Sequence, residues 1–277
     1  MTLLPEVEVV RKDLEREVVG KRVKDVRVAR AGLVARHRTR ARFVAALQGR
    51  RIEGVARRGV LLLLRLDDES QLVVRLGALG SLRRETATKE PRAGTQLVAT
   101  FTTGGALHYV DPGEDGEMFV AGPGSEELAG LGPSGIDPLT DTFTWPAFSH
   151  RIKADGRTLR ALLVDPSFLV GLGNLYADEI LWTAGLSGGR SPSSLSSQEV
   201  RRLYRGVQEV VHEAVKQGGT SVGEVEHLDL FGARGAYGAQ LKVYGRAGQP
   251  CPRCRQPIRD GRADDNGAGF FCPQCQT

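Results

Sequence analysis

With 277 residues, 40% of them hydrophobic, the chain can bury more than one core. A formal net charge of +5, carried largely by arginine, suits a polyanionic partner such as nucleic acid. No apolar run approaches the roughly eighteen residues a membrane span needs. With Glu6 and Glu8 so early, no signal peptide is expected either.

Pro5 suits the first turn of a helix, and Glu6 and Glu8 complement its positive end. Val7, Val10, Leu14 and Val18 form one apolar stripe at helical spacing, and Gly20 stops it. Strand-like runs follow at 22–30, 51–55, 60–64, 72–76, 97–101 and 107–110, with one helix near 42–47. The run from Val60 to Leu64 is continuously apolar, as for a strand buried on both faces. An antiparallel β-sandwich or barrel flanked by two helices accommodates this pattern. Arg36, His37, Arg38, Arg40 and Arg42 form a basic run that suits a solvated face or loop at least as well as a DNA contact.

Gly and Pro are dense from Gly122 to Pro138, which predicts a hinge. Beyond it the pattern is helical. Ser196 to Glu199 is a capping box, with Leu195 and Val200 placed to form the hydrophobic staple around it. Val200, Leu203, Tyr204, Val207 and Val211 then mark a buried face that ends at Gly218-Gly219. In Val170-Gly-Leu-Gly-Asn-Leu-Tyr-Ala-Asp-Glu179 a glycine-rich turn delivers Asn174 to a helix start. Free N–H groups there favour a phosphate, although an asparagine at this place is equally suited to be a simple N-cap.

The four cysteines all lie in the last 27 residues, as Cys251-Pro-Arg-Cys254 and Cys272-Pro-Gln-Cys275, with seventeen residues between the pairs. That spacing fits a closed four-thiolate site for one structural zinc ion. The alternative is a pair of disulfides or cysteines that merely pack. Asp264-Asp265-Asn266-Gly267 reads as the tip of a hairpin between the pairs, with Phe270-Phe271 in its second strand. Zinc-type cysteines with none elsewhere point to a reducing cytoplasm.

Leu4-Pro-Glu-Val-Glu8, Arg57-Arg58-Gly59, Arg75-Leu-Gly-Ala-Leu-Gly-Ser-Leu82, Gly171 to Glu179, Lys242-Val-Tyr-Gly-Arg246 and the cysteine pairs occur in this order. Together they resemble the Fpg/Nei family of DNA glycosylases, with a layout closer to Fpg, over nearly the whole chain. The resemblance implies an α+β multidomain fold. A β-sandwich with flanking helices covers 1–121, a hinge 122–138, a helix-two-turn-helix domain 139–235 and a zinc-finger β-hairpin 236–277. It implies DNA, damaged or distorted, as partner, with Asn174, Arg75, Lys242, Tyr244 and Arg246 as contacts. It also implies a monomer in the cytoplasm, associated with the nucleoid. In the family chemistry, removal of Met1 exposes an α-amine that attacks C1′ of an extruded nucleotide. A Schiff base forms, and the strand is cut by elimination.

This sequence departs from the family pattern at several named positions. The nucleophile position holds Thr2, whose primary amine can still form a Schiff base. The neighbouring acid is Leu3, which cannot carry a proton; Glu6 and Glu8 are expected to point elsewhere, with Glu6 the one candidate substitute. A phosphate-binding lysine aligns with Val60, the methionine wedge with Ala78, and the zinc-finger arginine with Gly267. The loop that supplies the other void fillers reads Asp111-Pro-Gly-Glu-Asp115, whose acids are expected to repel a duplex. The chain is therefore expected to be a divergent base-excision glycosylase and abasic-site lyase with weak or altered activity. The competing expectations are a degenerate protein that binds damaged DNA without cutting it, and an interaction protein whose zinc ribbon contacts protein or RNA.

Overall fold

The computed structural model describes residues 3–124, 135–153, 156–222, 227–261 and 269–277. It divides into two compact units, 1–132 with 218–235, and 133–217 with 236–277. The segment Gly218–Gly235, placed by sequence at the end of the helical domain, thus belongs to the first unit. The reason is local. Leu230 is fully buried in the first unit's core, the Arg84 amide donates to its carbonyl at 2.8 Å, and Arg83 Nη1 donates to the Asp229 carbonyl at 2.8 Å. Most of the predicted hinge at 122–138 lies outside the described residues.

The first unit is a β-sandwich. Helix α1 (Leu4–Val18) opens it, with Pro5 in its first turn and the stripe Val7, Val10, Leu14 and Val18 buried. Strands β1 (Val23–Val28), β6 (Thr95–Phe101), β7 (Ala106–Val110) and β5 (Ser81–Glu85) form one antiparallel sheet in that spatial order. Strands β2 (Ile52–Arg58), β3 (Leu61–Leu66), β4 (Gln71–Arg75) and β8 (Glu117–Ala121) form the other. In β3, Leu62, Leu64 and Leu66 enter the main core, whereas Leu61 packs with Val73, Phe119 and Ala121 in a separate cluster. Both faces of this strand are therefore covered, as its unbroken apolar run predicts.

Two strands escape the sequence pattern. In β5 the pair Arg83-Arg84 masks the alternation, and β8 is only five residues long. Of the face or loop expected for the basic run, the structure shows an exposed helical face. Ala31–His37 is a 3-10 helix, followed by α2 (Arg40–Leu47) with Thr39 as its N-cap. His37 Nε2 accepts the Val120 amide at 2.9 Å, and the Arg36 guanidinium stacks 4.1 Å from the Phe119 ring centroid.

The second unit is helical with a terminal ribbon. Among the described residues its α-helices are α3 (Trp145–Lys153), α4 (Leu159–Val164), α5 (Gly173–Ala184) and α6 (Ser197–Lys216). The capping box at Ser196 and Glu199 is present in both directions. Gly206 of α6 lets the helices close: a Cβ there would stand 3.3 Å from the Ile180 carbonyl oxygen. Phe143, Phe148, Phe168 and Tyr204 form an aromatic cluster, with Phe143 and Tyr204 stacked at 4.7 Å. Strands β9 (Arg259–Asp260) and β10 (Phe270–Phe271) form a two-stranded antiparallel ribbon. The predicted hairpin tip, with Gly267, lies outside the described residues. Among the described residues, no helix is long and apolar enough to cross a membrane.

Candidate nucleic-acid interface and metal centre

In the first unit, Thr2 lies outside the described residues, and Leu3 is the uncapped residue preceding α1. Of the two glutamates that follow, Glu8 is engaged by Arg57 at 2.9 Å and by Arg11 at 3.0 Å. Glu6 is 5% exposed, and its Oε1 accepts the Thr220 amide at 2.9 Å. The neighbouring Gly219 has φ +86°, and a Cβ there would stand 2.7 Å from His227 Cδ2 and 3.1 Å from Glu6 Cγ. Burial pushes the His227 imidazole down to about 4, with Arg83 adding to the shift and Asp229 opposing it. The ring is therefore neutral at physiological pH.

Arg75 ends β4 with its side chain half exposed and stands 3.6 Å from Glu117, its register partner on β8. Glu117 also binds Arg36 at 2.7 and 3.3 Å. One carboxylate thus serves two arginines, which leaves net positive charge at this sheet edge. Val60 is packed against the core and presents no charge. Ala78 and Leu79 lie on the turn between β4 and β5; Leu79 is 55% exposed. The acids of the 111–115 loop are used internally. Asp115 accepts the Ala78 amide, Glu114 stands 3.2 Å from Arg30, and Asp111 Oδ2 accepts the Tyr109 hydroxyl at 3.0 Å and the Gly116 amide at 2.9 Å. These contacts brace the loop, and Glu114 and Asp115 remain exposed on it.

In the second unit, Asn174 is the second residue of α5, not its cap; Leu172 holds the cap position without a side-chain bond. Asn174 is exposed beside the helix's free N–H groups, an arrangement suited to a phosphate. Two acids on the same helix fix the segments around it. Glu179, 1% exposed, accepts the amides of Lys242, Val243 and Tyr244 at 2.9–3.1 Å. Burial raises its carboxyl above the usual range, against those three N–H groups. Asp178 is fully buried, paired with Arg160 at 2.7 Å, and accepts the Phe270 amide at 3.0 Å.

The Lys242–Arg246 segment is thereby held against α5. Lys242 is half-buried, and Tyr244 packs edge-on to Phe270 at 5.2 Å. The Arg246 guanidinium donates to the carbonyls of Leu241 and Lys242 at 3.0 and 3.1 Å and to Gln249 Oε1 at 3.0 Å. It pins this turn together. The roles of Asp178, Glu179 and Arg160 are not evident from the sequence motif alone. Two adjacent acids on the buried face of an apolar helix were the available signal, because buried carboxylates demand donors.

The four cysteine sulfurs lie within 4.8 Å of one another, with Cys251 to Cys275 at 3.9 Å and Cys254 to Cys272 at 3.4 Å. Tetrahedral zinc with bonds of about 2.3 Å sets its sulfurs about 3.8 Å apart. The cluster can therefore hold a metal ion, and all four donors are protein thiols. Burial pushes the Cys251 thiol up, but N–H groups of Cys254, Trp182 and Arg253 outweigh it and hold the thiol at about 6. Arg253 stacks on Trp182 at 3.8 Å and donates to the Trp182 and Thr183 carbonyls at 2.8 and 3.1 Å, fastening the cysteine knuckle to the end of α5.

Comparison with known proteins agrees with this layout. Residues 1–118 match the formamidopyrimidine-DNA glycosylase N-terminal domain, and residues 134–225 match the formamidopyrimidine-DNA glycosylase H2TH domain. The formamidopyrimidine-DNA glycosylase of Thermus thermophilus is 38% identical over 277 residues, covering 100% of this chain and 98% of that protein. That of Enterococcus faecalis is 35% identical over 277 residues, covering 100% of this chain and 97% of that protein. The crystal structure of MutM (Fpg) from T. thermophilus superposes with a TM-score of 0.83 at 36% identity, covering 99% of this chain and 98% of that one. Lactococcus lactis Fpg in complex with DNA containing an abasic site gives 0.87 at 26% identity, covering 99% of each chain. MutM bound to DNA containing carbocyclic 8-oxo-G gives 0.84 at 27% identity, again covering 99% of each. This chain belongs to the formamidopyrimidine-DNA glycosylase family.

Proposed function

We propose that this chain is a base-excision-repair DNA glycosylase and abasic-site lyase that binds damaged DNA. The observation that carries this reading is the likeness, over 99% of the chain, to solved proteins described as bound to lesion-containing DNA. The exposed Asn174 at the α5 N-terminus and the Arg75 edge supply groups suited to phosphates. Phosphate contacts of this kind make binding salt-dependent. Lys242 and Tyr244 are further contact candidates. Arg246 acts through the turn it pins.

In the proposed chemistry the Thr2 α-amine attacks C1′ and the C1′–N bond to the base breaks. The base leaves carrying a proton, the C1′–O4′ bond then breaks with O4′ taking up a proton, and loss of the amine protons leaves the open-chain C1′=N imine. Removal of a C2′ proton then expels the 3′ phosphate, and a second elimination expels the 5′ phosphate. The amine suits this work because its ordinary pKa of about 7.7–8.0 leaves part of it neutral. Leu3 contributes no proton transfer. Glu6 is the carboxylate nearest to Thr2 in sequence, and we assign it the proton-handling role at this site. The four thiolates hold one structural zinc ion, which orders the ribbon and has no open position for substrate. Such chemistry fits a cytoplasmic, nucleoid-associated protein.

Leu3 also favours a second reading, in which the protein binds lesions without cutting. Strand cleavage separates the two. End-labelled duplex carrying one abasic site should yield products with phosphate at both new ends. Binding without any cleavage, with Met1 shown to be absent, would leave the second reading.

A further inference from the structure

We infer that Arg160 is a positioning residue for DNA phosphate, one that fixes which end of the Asn174 side chain faces outward. This rests on the DNA-binding reading above. A carboxamide has one acceptor and one donor end. At an exposed helix N-terminus nothing in the backbone selects between them, and an outward oxygen would repel a phosphate. Arg160 makes the selection: its Nη2 donates to Asn174 Oδ1 at 3.0 Å. The amide oxygen is thereby turned to the protein, and the Nδ2 hydrogens point outward beside the free N–H groups of α5.

Arg160 is itself held on its other side. Its Nε donates to Asp178 Oδ1 at 2.7 Å, and Asp178 Oδ2 accepts the Phe270 amide of β10 at 3.0 Å. Gly269, at φ +67°, allows the ribbon to sit directly on this pair; a Cβ there would stand 2.2 Å from Asp178 Oδ1 and 2.3 Å from Arg160 Nε. A planar guanidinium can address two partners at once from one rigid fork, which an ammonium cannot. The chain Phe270, Asp178, Arg160, Asn174 thus links the metal ribbon to the exposed amide. The ribbon would order a phosphate ligand that belongs to another element.

The test uses the zinc-loaded full chain and a duplex with one abasic site. Removing Arg160 alone would strand the buried Asp178 charge, so R160M/D178N is compared with N174A and with the triple variant. R160M/D178N should weaken binding by about 3–10-fold, the range of one hydrogen bond. Adding N174A should then weaken it no further, because the two act through one contact. Losses that multiply, or wild-type binding by R160M/D178N, would overturn the inference. R160K is expected to fall between the two. If the wild-type protein binds no DNA, the DNA reading fails first. The inference is then decided by the Asn174 side-chain amide resonances of the free protein. Those should shift and become more mobile in R160M/D178N, and unchanged resonances would overturn it.

Discussion

The Asp115 carboxylate accepts the Ala78 amide through both oxygens, at 2.9 and 3.0 Å. Two turns are joined by this bond, the one between β4 and β5 and the one between β7 and β8. Gly77 makes room for it, since a Cβ there would stand 2.1 Å from Asp115 Oδ1. In this chain the two turns hold Ala78 and the Asp111–Asp115 loop. Here they brace each other. D115A should leave the exposed Ala78 amide to water, at a cost of about 0.5–1.5 kcal/mol. Hydrogen exchange of residues 77–80 should quicken in D115A, while the β6 and β7 amides stay protected. Unchanged exchange at Ala78 would rule out the brace.

Glu179 gathers three consecutive amides with one buried carboxylate. Glutamine keeps one acceptor oxygen but sets its NH2 group against the Lys242 N–H, which now also donates to Glu179 Oε2 at 2.9 Å, and it loses the charge that strengthens all three bonds. E179Q should therefore destabilise the second unit by about 2–3 kcal/mol and free the 242–246 segment. Denaturant midpoints and proteolysis of that segment provide the check.

Two buried groups give opposite responses to mild acid. Burial raises Asp178 to about 6, although Arg160 and the Phe270 amide pull it down. A carboxyl raised in the folded state binds protons more readily there. Its contribution is fully present below the ordinary carboxyl range and is lost as pH rises through about 6. His227 is pushed down to about 4 by burial. Its contribution is present above the ordinary imidazole range and is lost as pH falls through about 4. Between roughly pH 6.5 and 4, acidification should stabilise wild type relative to D178N, and destabilise it relative to H227Q. Unfolding midpoints of the three proteins across that window test both signs.

Removing the metal should release the ribbon. With four free thiols in place of a closed site, β9 and β10 retain little to hold them, because a two-stranded ribbon is marginal alone. Chelation or C272S should expose residues 250–277 to protease and weaken DNA binding, with the β-sandwich core intact. A ribbon that stays protected after complete zinc loss would show that Arg253, Glu179 and Asp178 suffice.

Much of the fold is legible in the chain. The α1 stripe, the doubly buried β3, the α6 capping box and the cysteine spacing each encode a local rule that the structure obeys. What stays hidden depends on contacts across the sequence. Strand β5 looks like a polar segment because Arg83 reaches Asp229 and Arg84 pairs with Glu17 at 3.1 Å. The bracing role of Asp115 stays hidden until its partner, 37 residues away, is known. Arg160 has no motif, and its meaning comes from Asp178 and Asn174 on a neighbouring helix. The site is legible where residues act alone, as with the thiolates, and illegible where they act through another side chain.

The Thr2 amine is expected to perform chemistry beside Leu3. Borohydride added to the protein and abasic-site DNA, with the N-terminus verified by mass spectrometry, tests it directly. The expected result is a covalent adduct that maps to Thr2 and disappears when the α-amine is acetylated. Absence of any adduct on duplex or single-stranded DNA, with Met1 confirmed absent and binding intact, would contradict it.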